Sequence, residues 1–334
     1  MNKSIIEVIE AIQSHHHFVV VSHQNVDGDG IGALLSFYAL LSSLGKHVIM
    51  VNNGSVPYFC RFLPETEKIL SYNDFCQAYL GKEHVFEALI VVDCSNLSRL
   101  GEMSEMVKKF SFVINVDHHP DNSFFGNVNW VAPEASSTML VYALFKEMNI
   151  SLNKFVASSI LNGLISDTGG FSFVEIDSRM LTILEDLIVH GASVSEVMRY
   201  NFRFRRSEAL KLLGRALERL VYDGDSGISY TYLVRRDFAE FHAGVEDTEG
   251  IVDYGLYIPG VEISILFRET EEKVFKVSLR AQGEREVLSI AHHFGGGGHL
   301  KAAGFKITGE LETVIQKVLK FVQSVPYGSK TAIR

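Results

Sequence analysis

The sequence predicts an α/β protein in which a parallel, helix-covered sheet comes first and a smaller α/β domain follows, the two joined by a helical connector. Three observations carry that expectation. Apolar strand-like runs at 18–22, 47–51, 88–92 and 112–116 alternate with helical stretches, as a sheet of βαβ units requires. Residues 135–148, 153–166 and roughly 178–220 then read as helices, the last with Leu187, Val194, Val197, Leu210, Leu213, Leu217 and Leu220 as its apolar positions. After Asp223-Gly-Asp-Ser-Gly227 the texture changes to strands at 228–234, 261–267 and 274–279, then a glycine run at 295–298 and a terminal helix over 311–323. The expected domains are 1–185 and 223–334, with the connector over 186–222.

The 334 residues suit two domains, each long enough to bury a core. A composition 47% hydrophobic and 21% charged is that of a globular protein, and no apolar run approaches the roughly 18 residues that span a bilayer. Ile5, Val8, Ile9 and Ile12 fall at helical spacing among Glu7 and Glu10, unlike a signal peptide, so a cytoplasmic location without membrane contact is expected. The three cysteines, Cys60, Cys76 and Cys94, form no CxxC pair and imply neither a disulfide framework nor a thiolate zinc site. A net charge of −9 argues against a protein that coats long nucleic acid. An anionic substrate would need local cations.

Aspartate and histidine collect at the ends of the expected strands. His23, Asp27 and Asp29 follow the first; Asp93 follows the third; Asp117, His118 and His119 follow the fourth. In an open parallel sheet ligands bind beyond the carboxyl ends of the strands, so these residues can share one crevice. Asp167 adds a fourth group in a helix-ending glycine turn, Ile165-Ser-Asp-Thr-Gly-Gly-Phe171. Singly, each Asp reads as a helix cap or turn residue. Together, Asp27, Asp29, Asp93 and Asp167 would repel one another unless neutralised, and two divalent cations supply the matching charge. Mixed imidazole and carboxylate ligands favour Mn²⁺, Fe²⁺, Co²⁺ or Zn²⁺ over Mg²⁺, with Mn²⁺ first by availability. Paired cations of this kind serve phosphoryl transfer.

These residues resemble the motifs of the DHH phosphoesterases. Ser22-His-Gln-Asn-Val-Asp-Gly-Asp-Gly-Ile-Gly32, Val91-Val-Asp-Cys94, Val116-Asp-His-His-Pro120 and Ile165-Ser-Asp-Thr-Gly-Gly170 are similar to its four motifs in order and spacing. Phe294-Gly-Gly-Gly-Gly-His299 with Ala302-Ala-Gly304 resembles the signature of the DHH-associated C-terminal domain. The resemblance implies that His23, Asp27 and Asp93 hold one metal and Asp29, Asp93, His118 and Asp167 the other, with Asp93 bridging. It further implies that Asp117 orients its neighbours and that His119 faces the scissile phosphate or leaving oxygen as a donor. The family's first motif usually ends Gly-Ser, where this chain has Gly32-Ala33.

Length and layout look most like the stand-alone branch that acts on very short RNA and on 3′,5′-bisphosphorylated adenosine. There the C-terminal domain grips the nucleotide, so Gly296, Gly297 and Gly298 would offer backbone N–H groups, His299 a donor and Arg280 a bidentate phosphate contact. The expected partners are short RNA or a small nucleotide, with a homodimer allowed. A cyclic dinucleotide or its linear product stays open as substrate, as does a nucleotide sensor without turnover.

Other features read more plainly. Gly28-Asp-Gly-Ile-Gly-Ala33 is not a dinucleotide fingerprint, since its spacing is wrong and Asp27 and Asp29 would repel a pyrophosphate. His15, His16 and His17 read as a solvated turn, and His292 and His293 as packing. Arg199, Arg203, Arg205, Arg206, Lys211, Arg215 and Arg219 read as a solvated face with Glu208 and Glu218 interspersed, oligonucleotide contact being the alternative.

Overall fold

A computed structural model describes residues 3–79 and 86–325; the expected domain ends at residues 1 and 334 lie outside them. The chain divides into two compact units between Phe204 and Arg205.

The first unit is built on six strands, β1 (His17–Val21), β2 (His47–Asn52), β3 (Leu70–Ser71), β4 (Ala88–Val92), β5 (Phe112–Asp117) and β6 (Val128–Val131). They lie in the order β3-β2-β1-β4-β5-β6, every neighbouring pair parallel. The four expected strands are present. β3 and β6 add short edges that are too brief for a periodic signal. Along β1 successive residues feed opposite faces: Phe18 and Val20 join the core beneath the helices Lys3–Ser14, Gly28–Ser43, Ser137–Glu147 and Lys154–Asp167, while Val19 and Val21 pack with Phe75, Leu100 and Met103. Burial on both faces is why these strands read as unbroken apolar runs.

The strand order reverses between β1 and β4, since the chain runs from β1 outward through β2 and β3, then returns to β4 and proceeds the other way. Loops leaving two such strands diverge and open a crevice at their carboxyl ends. His23 and Asp27 follow β1 and Asp93 follows β4, so the topology sets them at that crevice.

The helical stretch expected over roughly 178–220 is made of several helices. Helix Ser178–Val189 ends at Gly191, whose φ of +94° suits glycine; Ser193 caps Val194–Met198, and a π-helical turn, Arg199–Arg203, precedes Ser207–Glu218. Leu187 and Val197 pack into the first unit's core, whereas Leu212 and Ala216 pack into the second's.

In the second unit the sheet is mixed, in the order β11-β12-β10-β9-β8-β7, with β7 (Val221–Asp223), β8 (Ile228–Leu233), β9 (Ile263–Glu271), β10 (Val274–Ala281), β11 (Gly297–Gly298) and β12 (Ala302–Thr308). Only the β8–β9 pair in that order is parallel. One face packs Ile265, Phe267, Val277, Leu279 and Phe305 against helices Leu288–His293 and Leu311–Ser324. His293 stacks on Phe321 with ring centroids 3.7 Å apart, although it is exposed and not partly buried. Much of the basic stretch is ion-paired: Arg206 with Asp247, and Arg215 and Arg219 with the buried Asp237. Among the described residues no helix is long and apolar enough to cross a membrane.

Candidate active site

Local structure fixes each side chain before the site is assembled. Asp27 caps the helix Gly28–Ser43, its Oδ1 accepting from the N–H groups of Asp29 (2.9 Å) and Gly30 (3.1 Å). Asp29, in the first turn, is fully buried and meets the start of another helix, Ser137–Glu147. Its Oδ2 accepts from Ser137 N (2.6 Å), and its Oδ1 from Thr138 N (3.1 Å) and Thr138 Oγ1 (2.9 Å). A helix N-terminus favours that negative charge. The close approach needs glycine: a Cβ on Gly163 would collide with Asp29 Oδ1 and Thr138, and one on Gly30 with Ser22 and Val26.

Asp93 ends β4 with φ of +52°, a left-handed conformation that aspartate tolerates better than most residues. Its N–H donates to Val116 O (3.0 Å), extending the β4–β5 ladder. His23 and His118 are oriented alike. Nδ1 of His23 pairs with Gln24 O (2.8 Å) and Nδ1 of His118 with Glu134 O (3.0 Å), so each Nδ1 carries the proton. Both Nε2 atoms therefore face the carboxylates.

The groups converge. His23 Nε2 lies 3.4 Å from Asp93 Oδ2 and 3.8 Å from Asp27 Oδ2; His118 Nε2 lies 2.9 Å from Asp167 Oδ2, 3.6 Å from Asp93 Oδ1 and 4.0 Å from Asp29 Oδ2. His23, Asp27 and Asp93 make one group of potential ligand atoms and Asp29, His118 and Asp167 another, with Asp93 close to both. The six expected ligands are thus brought together.

A cation fits here. Ser22 Oγ, His23 Nε2 and Asp93 Oδ2 are buried without a hydrogen-bond partner, which native interiors avoid unless something else satisfies the atoms. The electrostatics agree. Burial opposes charge on His23, but Asp27 and Asp93 outweigh it and push its pKa up to about 10. His118 is likewise raised against burial, by Asp167 and Asp93. Asp93 is held well below the usual carboxylate range, despite burial, by His118 and His23. Asp29 is raised by burial and by the charges of Asp93 and Asp167. In effect, protons on imidazoles stand in for positive charge that the carboxylates demand.

Behind these residues lies a second layer. Asp117 is fully buried, its Oδ1 2.7 Å from His119 Nδ1 and its Oδ2 accepting from Asn122 Nδ2 (2.6 Å); Asn122 also bonds Asn115, which bonds Cys94 O. The motif pattern does not point to Arg99. Its Nη1 lies 2.7 Å from His119 Nε2, and Asn96 Oδ1 and the Gln24 N–H anchor its backbone. The one signal in the sequence is an isolated arginine six residues after a strand-ending aspartate. Ala33 sits inside a helix already capped by Asp27, so the missing hydroxyl takes nothing from that cap.

In the second unit Arg280, on β10, pairs with Asp253 at 3.3 Å. The expectation for Gly296 needs correction: its N–H donates to Ala291 O (2.8 Å) and is not free for an anion. Glycine is required there because a Cβ would strike Gly304 O and Phe305. Gly297 and Gly298 form β11, paired with Gly304 and Ala303, and Gly298 has φ of +137°. His299 N–H closes the following turn on Ala302 O (2.7 Å).

Comparison with known proteins bears on both units. Residues 17–164 match the DHH family, N-terminal domain, and residues 228–325 match the DHHA1 domain. The chain is 30% identical to the bifunctional oligoribonuclease and PAP phosphatase NrnA of Thermus thermophilus, over 96% of this chain and 92% of that protein. It is 25% identical to the Bacillus subtilis protein of the same description, over 90% and 92%. A crystal structure of an exopolyphosphatase-related protein from Bacteroides fragilis superposes with a TM-score of 0.85 at 26% identity, covering 97% of this chain and 96% of that one. The strand-end aspartates and histidines, the two matched domains and the near full-length similarity agree: the chain belongs to the DHH family and is a hydrolase of phosphoester bonds.

Proposed function

We propose that the protein hydrolyses very short oligoribonucleotides and 3′,5′-bisphosphorylated adenosine, using two divalent cations, Mn²⁺ first among them. The observation that carries this reading is the convergence of carboxylates and imidazoles at the crevice between β1 and β4, where His23 Nε2 and Asp93 Oδ2, 3.4 Å apart, are buried without a hydrogen bond. The Thermus and Bacillus relatives, named for those two substrates, support the choice of substrate.

His23, Asp27 and Asp93 would hold one cation and Asp29, His118 and Asp167 the other, with Asp93 shared. Bound there, the cations supply a hydroxide at neutral pH and neutralise the phosphate. The chain's own residues do the rest. Asp117 fixes His119 by Nδ1, and its Nε2, which accepts from Arg99 Nη1 in this structure, would serve as donor to the leaving oxygen only after taking up a proton and releasing that contact. Arg99 stands beside that atom and offers its remaining N–H groups to phosphate oxygens. Arg280 and the segment around His299 bind a phosphate away from the reaction.

Turnover in Mn²⁺ of bisphosphorylated adenosine, a dinucleotide, a 5-mer, a 24-mer and cyclic di-AMP tests the proposal. The first three should be hydrolysed and the last two left nearly intact. Preference for the cyclic dinucleotide or the 24-mer would overturn the substrate assignment.

A further inference from the structure

Along β10 the residues alternate strictly. Phe275, Val277 and Leu279 enter the apolar core, while Lys276, Ser278 and Arg280 occupy the opposite, partly open face. Lys276 pairs directly with Arg268 on β9 and with Lys306 on β12, so three cations stand side by side in one row across three strands. Like charges directly opposite one another are destabilising, and this chain is acidic overall.

Arg268 sharpens the point. It is 7% exposed, and among the described residues no hydrogen-bond or ion-pair partner reaches it. Burial pulls its pKa down, and Glu249 opposes that only from beyond ion-pair distance. Elsewhere in the unit arginines are matched: Arg206 to Asp247, Arg215 and Arg219 to Asp237. A buried guanidinium left without an anion is costly, and such groups persist where a ligand supplies the charge.

We propose that the row Arg268, Lys276 and Lys306 binds a second backbone phosphate of a single-stranded oligonucleotide, so that the polar face of β10 is a track leading away from Arg280. Lys276 lies four residues from Arg280 on the same face, roughly 13 Å along an extended strand. The two phosphates of a bisphosphorylated nucleoside share one ribose and cannot span that distance; a longer chain can. With cations and no base-reading group in the row, recognition follows chain length and not sequence. This deepens the proposed oligoribonuclease reading and rests on it for the choice of ligand.

The test uses the full chain and fluorescein-labelled RNA, a 5-mer and a dinucleotide, titrated by anisotropy in chelator over a range of salt. Lys276→Ala and Lys306→Ala should each weaken the 5-mer several-fold and reduce the slope of log K against log salt by about 0.7 for every phosphate that the variant no longer engages. Dinucleotide binding and kcat/KM for bisphosphorylated adenosine should stay at the wild-type level. Arg268→Met should also weaken the 5-mer, yet raise Tm, because it removes a buried charge without a partner. An equal response of both RNAs, an unchanged salt slope, or an Arg268→Met variant that melts lower and binds normally would overturn the track. Because binding is read without turnover, a wild type that binds the 5-mer but hydrolyses nothing would overturn the hydrolytic reading and leave the track standing.

Discussion

In the first unit the site side chains are locked by the main chain around them: Gln24 O and Glu134 O orient His23 and His118, two helix starts receive Asp27 and Asp29, and β5 receives the N–H of Asp93. In the second unit Arg280 is held by an ion pair with Asp253 and by one bond from its Nη1 to the neighbouring Leu279 O, with no contact, among the described residues, to the main chain of a distant segment. The difference suits the roles proposed for the two units. Metal ligation would tolerate little displacement, and side chains built into backbone hydrogen bonding that forms with the fold meet that need. Gripping a phosphate needs charge and reach, and a cation matched by one carboxylate can be shared with a substrate.

The largest expected effect breaks the rigid side. Asp93→Ala removes the carboxylate that both imidazoles face and should lower kcat by at least about 10³-fold with the fold retained, read by steady-state turnover and circular dichroism. A variant keeping two metals and near wild-type activity would refute the bridging assignment.

A smaller effect belongs to the second unit. Arg280→Ala removes a charge-assisted interaction of about 1.5–3 kcal/mol, so kcat/KM for a dinucleotide should fall roughly 10- to 200-fold. An aryl phosphate, with its single phosphate, should be hardly affected. Asp253→Asn frees the same guanidinium and should leave the metal site untouched, so the two substrates ought to separate again. Parallel losses on both would show that Arg280 takes part in the chemistry and that the two units are not divided as described.

Much of this was legible because it depended on residue type and position after a strand. His23, Asp27, Asp93 and His118 follow strands whose apolar runs are unmistakable, and strand order alone then gathers them. What escaped depended on approaches between distant segments. Asn122 reaches Asp117 from a loop and Arg99 reaches His119 from the short helical turn Leu97–Met103, and the one local sign is an isolated arginine after a strand-ending aspartate. Gly296 misled because a glycine needed for close strand packing looks, in sequence, like one needed to approach an anion. The helical run at 178–220 is found, but its breaks were not legible because its apolar positions stay in phase across Gly191 while Leu187 and Leu212 serve different cores.

The smallest effect sharpens the account of the locked centre through its protons. Without cations, burial works against charge on His23, yet Asp27 and Asp93 raise its pKa from the ordinary 6.5 to about 10, and His118 is raised as well. His23 therefore carries a proton at neutral pH that would have to leave before its Nε2 could bind a metal, and the raised pKa of His118 acts in the same direction. Calorimetric titration of the chelated protein with Mn²⁺ near pH 7.5, in two buffers of different ionisation enthalpy, should report net proton release, and affinity should rise with pH. The sign for stability is opposite. A raised histidine pKa stabilises the metal-free fold fully below 6.5 and loses that contribution as pH climbs through about 10. Tm of the chelated protein should accordingly fall across that window, while Mn²⁺ should suppress the fall by replacing the protons with metal charge. Proton uptake on Mn²⁺ binding, or a chelated Tm that rises from pH 6.5 to 10, would mean that the carboxylates do not hold the imidazoles charged and that the ligand set is wired differently.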